Sequence, residues 1–175
     1  YHFRVVATNS AGTDAGADLT FTTAPILPEA TTLAATSISV SNATLNATVN
    51  PGGADAAVYF QYGPTASYGS VTTTSNLPAG LSTVGSSNLL SGLTPGTLYH
   101  FRVVATNSAG TNAGADLTFT TAPILPQATT FAATSISVSN ATLNATVNPG
   151  GADTAVYFQY GQTTSYGNVT TTSNL

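Results

Sequence analysis

The sequence predicts an all-β protein in which seven-stranded antiparallel β-sandwiches follow one another in tandem. The first observation is an internal repeat: residue 1 corresponds to residue 99, and residues 1–77 match residues 99–175 at all but seven positions. The second is the spacing of turn signals, roughly 8 to 12 residues, which is typical of sandwiches. The third is that no stretch has the hydrophobic period of a helix. Near-identical copies at a spacing of about one domain indicate duplicated modules of a longer array.

Each module is organised around the stretch from Leu93 to Thr121. This stretch comprises a turn, a long strand, a Gly-rich hairpin and a second strand. Alternation along both strands places one side in the core. The predicted inward residues are Tyr99, Phe101, Val103 and Ala105 on the long strand, and Leu117 and Phe119 on the second strand.

Five further strands precede this stretch in the complete module. The first is irregular, the second and third alternate clearly, the fourth is a short polar edge strand, and the fifth leads into the turn. The five are Thr31–Val40, Ala43–Asn50, Ala57–Tyr62, Val71–Ser75 and Ser86–Leu90. Their inward residues include Leu45, Ala47, Val49, Val58, Phe60, Tyr62 and Leu90. Together with the two strands of the organising stretch they predict a sandwich of about seven strands.

The repeat divides the chain into three parts. Residues 25–122 form one complete module, residues 1–24 carry the last strands of a preceding one, and residues 123–175 carry the joint and first strands of the next. Two prolines within four residues stiffen each joint, at Pro25 to Pro28 and at Pro123 to Pro126. Because the partial modules expose apolar faces and strand edges, we expect further copies to complete them in a head-to-tail assembly.

The composition excludes several classes of partner. Charged residues make up 5% of the chain, and the only basic side chains other than histidine are Arg4 and Arg102, so a phosphate-binding surface and a nucleic acid partner are excluded. No segment is apolar for the length needed to cross a bilayer. Cysteine is absent, so each module must be held by packing alone. A chain with two tryptic sites and hydroxyl-rich strands suits an extracellular or cell-surface location.

The module resembles a fibronectin type III repeat of the bacterial surface-protein kind. The resemblance is carried by Leu93-Thr-Pro-Gly-Thr-Leu-Tyr99 and the strand and hairpin that follow. It implies that Tyr99 is the tyrosine-corner residue, with its hydroxyl bonded to backbone near Leu93 to Gly96. The module departs from animal members of this family because Val49 stands where they place a core tryptophan. It also lacks Arg-Gly-Asp in the hairpin, so integrin binding is not implied.

No motif in the sequence indicates catalysis, a metal or a cofactor. His2 and His100 occupy one repeat position on the outer side of a strand, and the complete module has no second histidine to share a metal or a proton. The aspartates lie in or beside turns, where we expect their side chains to bond local backbone: Asp14, Asp18, Asp55, Asp116 and Asp153. The sequence therefore predicts that the protein is not an enzyme.

One surface has a possible binding function. If the third and sixth strands are neighbours, as in the resembling family, one outer face carries Tyr59, Gln61, His100 and Arg102, a set suited to a sugar ring or to sheet-surface pairing alone. Three hypotheses remain: a structural repeat of a long bacterial fibre, stalk or filament; an adhesive module that binds surface glycans; and a spacer in a secreted hydrolase. Because the differences between copies leave these four positions unchanged and no concave pocket is indicated, the first is favoured.

Overall fold

The structure, a computed structural model, describes residues 1–175 and consists of β-strands joined by turns and loops. The prediction of an all-β fold built from antiparallel pairs is confirmed. None of the elements is a helix that could cross a membrane.

The first part of the chain forms two small antiparallel pairs. Its strands are β1 (His2–Phe3), β2 (Val6–Asn9), β3 (Gly12–Ala15) and β4 (Leu19–Thr20). Strand β1 pairs with β4, and β2 pairs with β3 across the Asn9 to Gly12 hairpin. The Tyr1 ring stacks on the Phe21 ring with their centroids 5.2 Å apart. Within the single chain these strands pair only with one another, and completion by another copy stays a prediction.

Nine strands of the complete module form a β-sandwich. They are β5 (Glu29–Thr36), β6 (Ala43–Asn50), β7 (Ala56–Gly63), β8 (Ser70–Val71), β9 (Ser75–Leu77), β10 (Val84–Leu90), β11 (Leu98–Asn107), β12 (Gly110–Ala113) and β13 (Leu117–Thr120). One sheet has the order β10, β6, β5, and the other has the order β12, β11, β7, β8. In the second sheet β13 also pairs with β11, and β9 also pairs with β7.

The core lies between these two sheets and is built by alternation along the strands. On β6, Ala43, Leu45, Ala47 and Val49 are at most 2% exposed while the residues between them are half-buried. Strand β11 contributes Tyr99, Phe101, Val103 and Ala105, all of them buried. Phe60, Leu90, Leu93 and Phe119 complete the aromatic and aliphatic centre, and Tyr62 and Leu117 pack against it half-buried. The Phe119 ring stacks on Tyr99 at 5.5 Å and meets Phe101 edge-on at 5.7 Å.

The module has nine strands instead of seven because the predicted edge strand is divided and part of the predicted hairpin is itself a strand. In the predicted edge strand Val71–Ser75, the Thr72 hydroxyl accepts the Phe60 N–H at 3.0 Å, so a side chain replaces a ladder partner and β8 and β9 are separate. The second extra strand is β12, which lies inside the predicted hairpin and ends before Gly114, where a side chain would collide with the Thr32 backbone N at 2.6 Å. The predicted bounds of the first strand, Thr31–Val40, lie too far along the chain, since the strand runs over Glu29–Thr36.

The last part of the chain repeats the first strands of the module. Its strands are β14 (Gln127–Thr134), β15 (Thr142–Asn148), β16 (Ala155–Val156), β17 (Gln159–Tyr160), β18 (Asn168–Val169) and β19 (Ser173–Asn174). Strand β14 pairs with β15 and bulges between Phe131 and Thr134, as β5 and β6 do between Leu33 and Thr36. Over β14 and β15 the repeated sequence therefore forms the same local structure, whereas the residues equivalent to β7 form the two short strands β16 and β17.

Candidate functional site

The outer face predicted from the sequence is formed by β7 and β11, which pair antiparallel. The register places Gln61 opposite Arg102 and Tyr59 opposite Val104. Arg102 Nε donates a hydrogen bond to Gln61 Oε1 at 2.8 Å, so the two side chains hold each other across the sheet. Three of the four predicted residues thus belong to one cluster, because His100 lies on the same side of β11 as Arg102.

Tyr68 is the aromatic partner of Arg102 on this face. The guanidinium carbon lies 5.0 Å from the centroid of the Tyr68 ring, within the range of a cation–π interaction. Tyr68 has a φ of 62°, a left-handed conformation that is unusual for a bulky residue. Its carbonyl lies directly against Gly63, where any Cβ would overlap it. The Gly63 to Gly69 turn therefore folds back tightly enough to place the Tyr68 ring over the sheet.

Asp116 joins the histidine and the tyrosine. Its carboxylate accepts a hydrogen bond from the Tyr68 hydroxyl at 3.0 Å, and its other oxygen lies 2.8 Å from His100 Nδ1. The bond to His100 is the main cause that holds the pKa of Asp116 below its usual range, and the Tyr68 hydroxyl adds to it. Burial, and then the bond to Asp116, raise the pKa of Tyr68. We name these five side chains, Gln61, Tyr68, His100, Arg102 and Asp116, the outer-face cluster.

The structure changes the predicted face in two ways. Tyr59 is half-buried opposite Val104, which is only 4% exposed although it points outward. Arg102 reaches Tyr68 and not Tyr59, so Tyr59 is not a member of the cluster. Tyr68 was missed because the turn before β8 gave no periodic signal. The next copy repeats this conformation at Tyr166, with a φ of 57°.

The prediction that the aspartates bond local backbone is wrong for three of them. Asp116 bonds His100 and Tyr68, Asp18 bonds His2 at 2.7 Å, and Asp55 accepts the N–H of Ala79 at 2.7 Å. The local role falls to asparagine, since Asn107 Oδ1 accepts the N–H groups of Ala109 and Gly110. In the structure no three histidine, aspartate or glutamate side chains are grouped to hold a metal ion.

The tyrosine corner is present at the beginning of β11. The Thr94 N–H donates to the Tyr99 hydroxyl at 3.1 Å. Next to it the Thr121 hydroxyl, 1% exposed as a residue, donates to Thr94 O at 2.6 Å and accepts the Thr97 N–H at 2.9 Å. The turn that leads into β11 is therefore fixed by two hydroxyl groups.

Backbone hydrogen bonds hold the joint between the repeats on both sides. The Ala122 N–H donates to Ser39 O at 3.1 Å, and Ala122 O accepts the Gly96 N–H at 3.1 Å. Two residues later the Ile124 N–H donates to Gly150 O of the next repeat at 2.8 Å. Only Pro123, whose ring restricts φ, stands between the two anchored residues. The joint predicted to be stiff is thus bonded to the module on either side.

The entry to the complete module is held by an asparagine. Asn107, 8% exposed, donates from Nδ2 to Ile26 O at 2.7 Å and to Pro51 O at 2.8 Å. The Ile26 N–H donates to Gly52 O at 2.9 Å, which repeats the Ile124 bond at the following joint. The hairpin after β11, the joint and the Pro51 turn are therefore tied together at one point.

Comparison with known proteins gives a fold-level likeness only. No protein-family model and no curated protein match the chain. Among solved structures, the sensor domain of the anti-sigma factor RsgI4 in Pseudobacteroides cellulosolvens aligns in a shorter form at 19% identity and a TM-score of 0.43, over 58% of this chain and 98% of that one. A longer form of the same domain aligns at 20% identity and a TM-score of 0.42, over 60% and 99%. A likeness of this extent carries no argument about function.

Proposed function

We propose that the chain is a structural repeat region of a long extracellular bacterial fibre, stalk or filament, in which fibronectin type III-like sandwiches follow one another head to tail. The observation that carries the proposal is the joint, where Ala122 is bonded to one module and Ile124 to the next with a single proline between them. Near-identical modules joined at a constant angle give length, as in solenoid arrays built from repeated neighbour contacts.

The outer-face cluster supports a structural role more than ligand binding. Its hydrogen bonds are made among its own members, and Arg102 lies over the Tyr68 ring. Every buried side-chain nitrogen and oxygen in the chain has a hydrogen-bond partner within the protein, so no such atom is left unpaired for a ligand. Glycan adhesion through this face, and a spacer role in a secreted hydrolase, are the alternatives. A glycan array that bound residues 25–122 through Arg102 would favour adhesion.

Extracellular location is part of the proposal and is supported by composition. The surface relies on hydroxyl and amide groups, with 5% charged residues in the whole chain. Arg102, one of the two basic side chains other than histidine, is half-buried on a strand paired on both sides, which protects it from trypsin-like proteases.

Small-angle scattering on a protein of three tandem copies of residues 25–122 tests the proposal. We expect the profile of a rod or a shallow helix, because each joint allows one angle. A profile that fits freely jointed beads, with a maximum dimension well short of three modules end to end, would overturn the structural role.

A further inference from the structure

Two glycine-containing turns meet at the joint between repeats. The Pro95-Gly96 turn precedes β11 and is bonded to Ala122 at the end of the complete module, and the Gly150-Gly151 turn follows β15 of the next repeat. All three glycines have positive φ, 58° at Gly96, 72° at Gly150 and 88° at Gly151. Left-handed backbone at these positions favours glycine on conformational grounds alone.

The two turns touch backbone to backbone. A Cβ on Gly96 would lie 2.7 Å from Gly151 Cα and would also overlap the Gly151 carbonyl. From the other side, a Cβ on Gly151 would lie 2.8 Å from Pro95 O and 3.0 Å from Gly96 Cα. No flexible side chain is present to move aside, so a single added methyl group must displace one repeat relative to the next.

The complete module carries the same surface at its own entry. Gly52 and Gly53 have φ of 73° and 86°, and the Ile26 N–H bonds Gly52 O as Ile124 bonds Gly150 O. A Cβ on Gly53 would meet only Leu81 at 3.6 Å and Pro25 at 3.9 Å, both ordinary contacts. The place that Pro95-Gly96 fills at Gly151 is therefore open at Gly53.

We infer that the paired glycines at the entry of each repeat form a docking surface for the Pro-Gly turn of the preceding repeat, so that Gly52-Gly53 accepts a second copy of the Pro95-Gly96 turn. We name this contact the glycine lock. Its occupant is identified by the equivalent contact already made at Gly150-Gly151, and it rests on the proposed function as a tandem array. The lock adds a backbone contact to the prolines and hydrogen bonds that restrict rotation and tilt between neighbours.

Spin-label distance measurement in the full chain tests the lock. The chain has no cysteine, so Ser87→Cys and Thr146→Cys, both on exposed strand positions, place one label on each side of the joint. We expect a narrow distance distribution that Gly96→Ala broadens and shifts. Gly92→Ala is the matched control, because Gly92 has a φ of 72° with no atom within 4 Å of an added Cβ. The control has the same backbone strain without the collision, so it leaves the distribution narrow.

The receptor side is tested by Gly151→Ala, with Gly167→Ala as control, since Gly167 has a φ of 95° and open space around it. An unchanged narrow distribution in both Gly96→Ala and Gly151→Ala would overturn the lock. Equal broadening in the variants and their controls would also overturn it, because strain within each turn would then be the cause.

The open surface at Gly53 is tested in a chain lengthened by one period, with a copy of residues 1–98 placed before Tyr1. Labels at Ser87→Cys of the added copy and Thr118→Cys of the original module report on the new joint. Gly53→Ala should broaden their distance distribution, and Gly69→Ala, with a φ of 94° and no close atom, should not. If the spin-label distance distributions stay unchanged while three tandem copies scatter as a rod, the lock alone is overturned. If the unsubstituted three-copy protein scatters as a freely jointed chain, the structural function is overturned.

Discussion

The Tyr99 ring packs in the core, and its hydroxyl group bonds the backbone of the turn that precedes β11. Because that hydroxyl accepts the Thr94 N–H, Tyr99→Phe removes one hydrogen bond and leaves the ring packing against Phe119 intact. We expect a loss of about 1 kcal/mol in the free energy of unfolding, measured in urea. Tyr62→Phe is the control, since the Tyr62 hydroxyl makes no hydrogen bond, and its midpoint should stay at that of the parent. Equal midpoints for both variants would contradict the tyrosine-corner assignment.

Asp116 makes the stability of the module depend on pH. The pKa of its carboxyl is lowered by the bond to His100, so its contribution is present above the usual aspartate range, near about pH 4, and is lost as the pH falls through the lowered value. The raised pKa of Tyr68 means that the tyrosine's contribution is present below about pH 10 and is lost as the pH rises through its folded value.

Asp116→Asn should therefore lower stability most between about pH 4 and pH 10, by less than about 1 kcal/mol because the pair is partly exposed. The measurement is urea unfolding at a series of pH values. Asp14→Asn is the control for net charge, since the next copy carries asparagine at that position as Asn112. A difference between Asp116→Asn and the parent that persisted undiminished far below pH 4 would contradict the assigned bonds.

At the scale of elements, the hairpin after β11 is held to the joint by Asn107. Asn107→Ala would leave Ile26 O and Pro51 O without their donors in a mostly buried place, which should cost about 2 kcal/mol of unfolding free energy. Asn9→Ala is a sequence-matched control, because the same residue in the first copy has only its Oδ1 bonded, to Ala11 N. If both substitutions had equal effects on urea unfolding, the tie between hairpin and joint would not contribute.

The elements show which features were predictable from sequence. Strand β6 was predicted with the bounds that it has, because Leu45, Ala47 and Val49 alternate strictly with polar residues. The interruption at Thr72 was not predictable, since it depends on a hydroxyl meeting the Phe60 N–H of another strand. The contact between Tyr68 and Asp116 was missed for a related reason. The two residues are 48 positions apart in the chain, and they meet only because the turn that carries Tyr68 packs beside the residues that precede β13. Long-range polar contacts leave no periodic pattern in a sequence.

At the scale of the whole molecule, several local contacts recur between the copies of the repeat. The His2–Asp18 pair reproduces the His100–Asp116 pair, and the Ile26 and Ile124 bonds reproduce each other at the two joints. Because Ile26 and Ile124 are bonded alike, we expect a constant relation between neighbouring modules in the proposed array. In the proposed array, the length and shape of the protein depend on the joint.

Insertion of two glycines after Pro123 tests this dependence on the joint. The insertion separates the anchored Ala122 from the anchored Ile124, so each residue keeps the bond to its own module while the angle between modules is released. In a protein of three tandem copies of residues 25–122, we expect scattering to change from a rod to a jointed chain with a smaller radius of gyration. The same two glycines inserted between Thr73 and Thr74, in the exposed segment between β8 and β9, should leave the rod intact. The free energy of unfolding should change by less than about 0.5 kcal/mol for the joint insertion, because the core lies wholly within the sandwich. A rod that persists after the joint insertion would show that contacts other than the Ala122 to Ile124 connection set the shape of the array.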